Sequence, residues 1–186
     1  MQKRDALNAL IHIVVIVSVH KCYKISKMIT TKKGDKGRSY WLNKAVDKDD
    51  LVLDVIGGLD ELQAVLGVAR SNIMDFELNR KVYKVQKDLM AIASVMAGYP
   101  KKIEIRIKRL ENGIKIWEKE LPPFTEFVIP GEYAVADLIQ WSRAVCRRVE
   151  RSVVALAKTR EVKPKVLVYL NRLSDYLFLM AQKVDN

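Results

Sequence analysis

Histidine is almost missing from this chain. The two present, His12 and His20, both fall in the first twenty residues. Everything after them must work without imidazole, which argues against a Ser-His-Asp hydrolase, a Cys-His protease or a His-ligated metal enzyme in the body of the chain. Cysteine is equally scarce: Cys22 and Cys146 support neither a disulfide framework nor a zinc site of ordinary ligand spacing, so a reducing, cytoplasmic setting is expected. Only eight glycines and five prolines occur, too few for a collagen-like or linker-rich chain. Acidic residues are in deficit, 22 against 33 basic, giving a net charge of +11. That balance favours an anionic partner, and nucleic acid, anionic membrane and nucleotide phosphate all remain open on charge alone. The longest apolar run, residues 6–19, is shorter than the roughly 20 residues that span a bilayer.

What is present is the balance of one folded domain: 186 residues, 49% apolar and 30% charged, long enough to close a core. Residues 1–27 differ from the rest. Lys3-Arg4-Asp5 precede the β-branched stretch 6–19, but His20 to Lys24 offer no small-residue cleavage site. The segment reads as a signal peptide lacking its cleavage site, as an extra terminal element packed on the domain, or as sequence upstream of a natural start at Met28.

Beyond Met28, the turn-rich run Thr30 to Ser39 (TTKKGDKGRS) reads as a loop. Five stretches then carry the beat of amphipathic helices. The first runs from Leu53 to about Met74, with Leu59, Leu62, Leu66, Ala69 and Ile73 on one stripe. The second runs from about Glu77 to Ala97, with Val82, Val85, Leu89, Ile92 and Met96, and Gly98-Tyr99-Pro100 closes it. Residues 101–121 send two signals. Ile103, Ile105 and Ile107 alternate like a strand and Asn112-Gly113 suggests a hairpin turn, whereas Leu110, Ile114, Trp117 and Leu121 beat as a helix, which is expected over 106–120. Pro122-Pro123 breaks the chain before a loop, Phe124 to Gly131. The fourth helix covers about Ala134–Ala157, with Leu138, Trp141, Val145, Val149, Ser152 and Leu156 expected inside. The fifth runs from Pro164 to about Gln182 with Leu170, Leu173, Leu177 and Met180. The expected fold is all-α, a five-helix bundle with short connections preceded by a glycine-containing loop.

Three segments carry chemistry. In Thr31-Lys32-Lys33-Gly34-Asp35-Lys36-Gly37-Arg38-Ser39 the glycines allow close backbone approach, exposed amides suit phosphate, and Asp35 and Ser39 could touch a phosphate-bound Mg²⁺. The spacing is not that of a Walker loop, and a solvated basic loop is the plainer reading. On the fourth helix Arg143, Arg147 and Glu150 share one face. This face is expected to point away from the chain's own core, either to solvent or to a neighbouring subunit and an anionic ligand. On the fifth, Asn171 and Asp175 sit mid-helix, where neither favours helix nor serves as a cap.

In order along the chain, MITTKKGDKGRS (28–39), Lys48-Asp49-Asp50, Leu59-Asp60-Glu61-Leu62-Gln63, Phe127-Val-Ile-Pro-Gly131, Arg143 to Arg151 and Tyr169 to Phe178 resemble the motifs of the PduO-type ATP:cob(I)alamin adenosyltransferases. The resemblance covers about residues 28–182. It implies a five-helix bundle assembled as a homotrimer with active sites between subunits. It also implies a reaction in which cob(I)alamin attacks the ribose 5′-carbon of ATP and releases triphosphate, a corrinoid reductase supplying the reduced cobalt. By the same resemblance Thr31, Lys32, Gly34, Asp35, Lys36, Gly37 and Ser39 wrap ATP, with Lys48 on its phosphates and Mg²⁺ on those phosphates. Arg147, Glu150 and Asn171 meet the nucleotide from the helical side. Asp60 pairs with Arg143 across subunits, and Phe127 lies under the corrin ring. The sequence departs from the family pattern at Ser39, Gln63, Ile56 and Asp50-Leu51-Val52-Leu53, where an arginine is lost.

Two other classes compete: a basic helical bundle binding nucleic acid, which would need its lysines and arginines on one surface, and a protein tethered to a membrane through residues 6–19. Acidic residues interleave with the basic ones on most helices, and the implied partners are therefore ATP and the corrinoid, without nucleic acid or membrane. The preferred corrinoid, the identity of the reductase and the number of sites filled are not written in the sequence. The domain reading itself is testable. A chain beginning at Met28 is expected to fold, assemble and catalyse like the full chain. An insoluble or inactive truncation would make residues 1–27 part of the working protein.

Overall fold

The computed structural model describes residues 32, 34–42, 44–98, 104–123, 125 and 127–185. The readings of residues 1–27, of Thr31 and of residues 101–103 therefore fall outside the described residues. Five helices dominate: α1 (Leu51–Asn72), α2 (Phe76–Met96), α3 (Ile107–Glu120), α4 (Ala134–Ala157) and α5 (Pro164–Asp185). Ahead of them lies a short antiparallel hairpin, β1 (Arg38–Trp41) and β2 (Lys44–Asp47), with Arg38 opposite Asp47 and Trp41 opposite Lys44. The end of the run read as a loop is thus a strand.

Local chemistry sets the helix boundaries. Asp50 caps α1 by accepting from the Val52 N–H at 2.9 Å, and Asp75 caps α2 by accepting from the Leu78 N–H at 2.6 Å. A carboxylate there satisfies an otherwise orphaned amide and faces the positive end of the helix dipole. Pro164 opens α5, where its missing N–H costs nothing. In α3, Asn112-Gly113 makes no turn; both residues are helical. Gly113 is there for packing, since a Cβ on it would lie 2.4 Å from the Tyr176 ring of α5. The heptad beat of Leu110, Ile114 and Trp117, all buried, outweighed the hairpin signal.

The helical stripes meet in one core. Leu59, Leu62, Leu66, Leu89, Ile92, Leu110, Leu156, Leu170, Leu173 and Leu177 are essentially inaccessible, each burial contributing about 1.5–3 kcal/mol before entropy. α4 is central, packing on both α1 and α5, while α2 packs on α1 and α3 on α5. Its inward stripe differs from the expected one. Trp141 is 53% exposed, whereas Ile139, Gln140, Ser142, Cys146 and Val153 are buried. A helix packed on two sides must bury a broad arc, so a single stripe underestimated it.

One polar cluster reaches into this core, its carboxylate buried and its guanidinium partly exposed. The Asp88 carboxylate of α2 pairs with Arg109 of α3 and accepts from the Tyr169 hydroxyl of α5 at 3.1 Å, and Arg109 also donates to the Lys84 carbonyl at 3.1 Å. Burial pushes the Asp88 carboxyl above its ordinary range, with Arg109 and Tyr169 pulling it back. Because the folded-state value is the higher one, this group contributes most at low pH, and its contribution is lost as pH rises through that value. Asp88 is therefore not what unfolds the protein in acid. Asp88→Ala leaves Arg109 and the Tyr169 hydroxyl without their partner, and is expected to cost about 3 kcal/mol in denaturant unfolding. Tyr169→Phe, which removes one donor, should cost about 1–2 kcal/mol. Equal losses would mean that the charge pair adds nothing to the hydrogen bond.

Candidate active site

The glycine loop is built on the hairpin. Lys32 adopts φ 56° and Gly37 φ 73°, left-handed conformations that turn the chain tightly. The Asp35 amide donates to the Lys32 carbonyl at 3.4 Å, and the Gly37 amide to the Gly34 carbonyl at 3.3 Å. The Lys48 amide, just past β2, donates to the Gly37 carbonyl at 2.9 Å and closes the loop. The Lys48 ammonium comes back over it, so that a Cβ on Gly34 would sit 3.2 Å from Nζ. Lys32, Asp35, Lys36 and Lys48 are exposed, and Ser39 is half-buried in β1. Of the seven loop residues singled out in the sequence, Gly34 and Gly37 meet Lys48, Lys32, Asp35, Lys36 and Ser39 lie on the same loop and strand, and Thr31 lies outside the described residues.

The helical half lies on α4 and α5. Arg143 is half-buried, its Nε donating to the Gln140 side-chain oxygen at 2.7 Å and its guanidinium 5.8 Å from the centre of the Phe178 ring. The expectation that this face points clear of the chain's own core is therefore corrected for Arg143, which leans on α5 because Phe178 offers it an aromatic face. Burial, and then the neighbouring charge of Arg147, pull its guanidinium below its ordinary value. Among the described residues neither Arg143 nor Arg147 makes an ion pair. Both line a cavity of about 610 Å³ with Glu118, Arg172, Asp175 and Phe178 among its walls.

One turn further along, the Asn171 side-chain amide donates to Glu150 at 3.1 Å, tying α5 to α4. Its oxygen accepts from Arg172 at 2.6 Å, and Arg172 pairs with Asp175 at 3.1 Å. Glu150 and Asn171 are thereby joined across the two helices, and Arg147 lies one turn before Glu150 on α4. Asp60 is exposed on α1 and makes no ion pair among the described residues; the α1–α4 pair within the chain is made instead by its neighbour Glu61, with Arg148. Phe127 stands fully exposed on the α3–α4 connection and packs in no core among the described residues.

Arg172, Phe178 and Glu118 were not singled out by sequence reasoning. The first two sat inside the Tyr169 to Phe178 motif, and only the cavity gives them a role. Cys146, in the middle of the arginine motif, is inert: it is buried, it donates to the Leu170 carbonyl at 3.4 Å, and burial pushes its thiol far up. Among the described residues no group of three or more His, Cys, Asp or Glu side chains is placed to cage a cation.

A basic glycine loop, and a half-buried Arg143 beside an exposed Arg147 at a cavity, suit a nucleotide-using transferase. The sequence model of the family described as cobalamin adenosyltransferase matches residues 29–184, and the chain belongs to that family. It is 36% identical over 165 residues to a corrinoid adenosyltransferase of Bacillus subtilis, covering 83% of this chain and 85% of the relative. It is 33% identical over 168 residues to the human corrinoid adenosyltransferase MMAB, covering 83% and 67%. Among solved structures it is similar to a variant PduO-type ATP:corrinoid adenosyltransferase from Lactobacillus reuteri complexed with cobalamin and ATP. That likeness has a TM-score of 0.78 and 26% identity, covering 85% of this chain and 93% of the other.

Proposed function

We propose that this chain transfers the 5′-deoxyadenosyl group of ATP to the cobalt of a corrinoid, at sites completed between copies of the chain. The observation that carries the reading is the Arg143–Arg147 pair. Two guanidiniums beside a cavity, without a carboxylate in ion-pair reach among the described residues, call for an anion from outside. A polyphosphate and a partner's carboxylate both fit. The L. reuteri relative complexed with cobalamin and ATP supports the choice of ligands.

In the reaction, the electron pair of the Co(I) substrate attacks the ribose 5′-carbon, the C5′–O bond breaks, and triphosphate leaves with that bond's electrons. No protein group has to be deprotonated to make the nucleophile, which is why a body without histidine suffices. The chain's tasks are alignment and charge. Lys32, Lys36 and Lys48, with the loop amides at Gly34 and Gly37, would hold the triphosphate, and Arg147 would offset the negative charge that grows on it. Mg²⁺ would be carried mainly by the phosphates, with Asp35 and Ser39 as its protein-side partners, in keeping with a cation that is rarely caged by protein alone. Glu150 and Asn171, already bonded to each other, would meet the nucleoside. Phe127, exposed and apolar, would lie against the lower face of the corrin and displace the axial ligand there, easing reduction of Co(II) to Co(I). The homotrimer, a corrinoid reductase as electron source and a cytoplasmic setting belong to the same proposal. No helix among the described residues is long and apolar enough to cross a membrane.

The direct test is formation of adenosylcobalamin from cob(I)alamin and MgATP, followed by absorbance; no product at saturating substrates would sink the reading. Two sets of variants resolve its parts. Arg143→Ala and Asp60→Asn should each weaken assembly by about 3–5 kcal/mol if the two pair across a buried boundary. The double variant should then cost less than the sum, as read by concentration-dependent sedimentation. A stable, fully active Arg143→Ala trimer would refute the shared site. Phe127→Ala should leave folding stability within about 0.5 kcal/mol yet slow turnover from cob(II)alamin far more than turnover from pre-reduced cob(I)alamin. Equal slowing would place Phe127 outside the corrin face.

A further inference from the structure

Arg160, in the turn between α4 and α5, touches two separate parts of the chain at once. Its guanidinium makes a forked pair with Asp50, Nη1 to Oδ1 at 2.7 Å and Nη2 to Oδ2 at 2.6 Å. Its central carbon lies 4.8 Å from the centre of the Trp41 ring. The pair is largely sheltered, the side chains being 31% and 18% exposed. Trp41 in turn donates its indole N–H to the Met96 carbonyl at 2.8 Å, and the adjacent Leu42 packs so closely on Gly98 that a Cβ there would be 1.8 Å from it. Gly98 holds φ 83°, so α2 ends in a glycine that both turns the chain and admits the hairpin.

Trp41 ends β1, at the hairpin's far end, and Asp50 lies three residues past β2, at its base. One guanidinium therefore joins both ends of the hairpin that carries the glycine loop. Lys48 is two residues from Asp50, its amide on Gly37 and its ammonium over Gly34. The contact with Asp50 is made by charge-assisted, forked hydrogen bonds, the strongest geometry available to a carboxylate.

We propose that Arg160 is a positioning residue for nucleotide binding: with Asp50 and Trp41 it clamps the β1–β2 hairpin to the bundle and so holds Lys48 and the Gly34–Gly37 loop in the arrangement that receives the triphosphate. The proposal rests on the ATP reading of that loop. Arg160 itself touches no substrate. Its effect is to keep the loop in its competent arrangement, since a loop competent for only a fraction of the time binds weaker by that fraction. The hydrogen bonds from Arg160 also hold the Asp50 carboxyl below its ordinary range. The clamp is therefore intact above that range and loosens as pH falls through the lowered value.

The test separates the clamp from the loop's function. In calorimetric titration with MgATP, Arg160→Ala should bind about ten-fold more weakly if the loop is left competent about a tenth of the time. Its kcat at saturating ATP and its KM for the corrinoid should remain those of the wild type. Arg160→Lys, which keeps the charge but not the fork, should recover only part of the loss, and Trp41→Phe, which keeps a ring but not the indole donor, should show a smaller loss in the same direction. Hydrogen exchange on the nucleotide-free protein is the second arm: Arg160→Ala should speed exchange at the Lys48 and hairpin amides and leave α1 to α5 unchanged. Wild-type ATP affinity in Arg160→Ala, or equal losses for ATP and corrinoid, would overturn the proposal. If the wild type itself fails to bind MgATP, the ATP reading falls and takes the positioning role with it. The clamp is then judged by exchange alone, where unchanged hairpin amides refute it.

Discussion

A guanidinium that is half-buried, beside another of its kind and without an ion-paired carboxylate among the described residues, calls for an anion, and that is the condition of Arg143 next to Arg147. Much of the structure follows from holding that pair in place. α4 carries both residues and packs on both α1 and α5, so its rotation is fixed by Val145, Val149 and Val153 on one arc and by Cys146 against the α5 backbone. A free helix would turn its arginines to water, where their charge is largely screened. Locked in this way, the pair stays beside the cavity and its field is spent on whatever enters. An enzyme whose leaving group is a triphosphate needs such a fixed positive field more than it needs a proton donor.

Two other arginine–carboxylate devices support this arrangement, each at a different junction. Arg109 with Asp88 and Tyr169 joins α2, α3 and α5 inside the bundle. Arg160 with Asp50 joins the α4–α5 turn to the base of the hairpin at its edge. The first buries its carboxylate inside the bundle, with Arg109 reaching in from the rim, so it serves the packing of the bundle. The second lies at the edge and stands between the bundle and the hairpin that carries the glycine loop. Loops of this kind are the usual carriers of binding groups, and their precision depends on how they are fastened.

The helices were legible in the sequence because each must bury a stripe at helical spacing: all five stripe residues named for α2 are buried, as are the four named for α5. What failed, failed for tertiary reasons. Trp141 fits the periodicity of α4 yet lies outside, because apolarity at the right spacing does not say whether the neighbour belongs to the same chain. Asn112-Gly113 carries a turn signal, but its glycine answers to the Tyr176 ring. The β1–β2 hairpin was hidden because its connection, Leu42-Asn43, lacks the glycine that usually marks one, and Leu42 takes φ 49° instead. The site residues were legible only as motifs. That Lys48 returns over Gly34, or that Arg143 leans on Phe178, depends on pairs too distant in sequence for spacing to reveal.

The departures from the family pattern take on a physical meaning in this light. Gln63 offers its backbone carbonyl to Gln86 at 3.1 Å, and Gln86 accepts from Arg70 at 2.7 Å, so that contact runs through the backbone and is indifferent to the side chain at 63. Ile56 is half-buried and packs against the core, where an apolar residue of similar bulk serves. The lost arginine is different. Two residues after Asp50, where the pattern has a guanidinium, this chain buries Val52 almost completely. The guanidinium that meets Asp50 comes from Arg160, 110 residues further along. That pair fastens the base of the hairpin to the turn beyond α4. A contact made within one segment stabilises only that segment; made across the fold, it sets the distance between two of them.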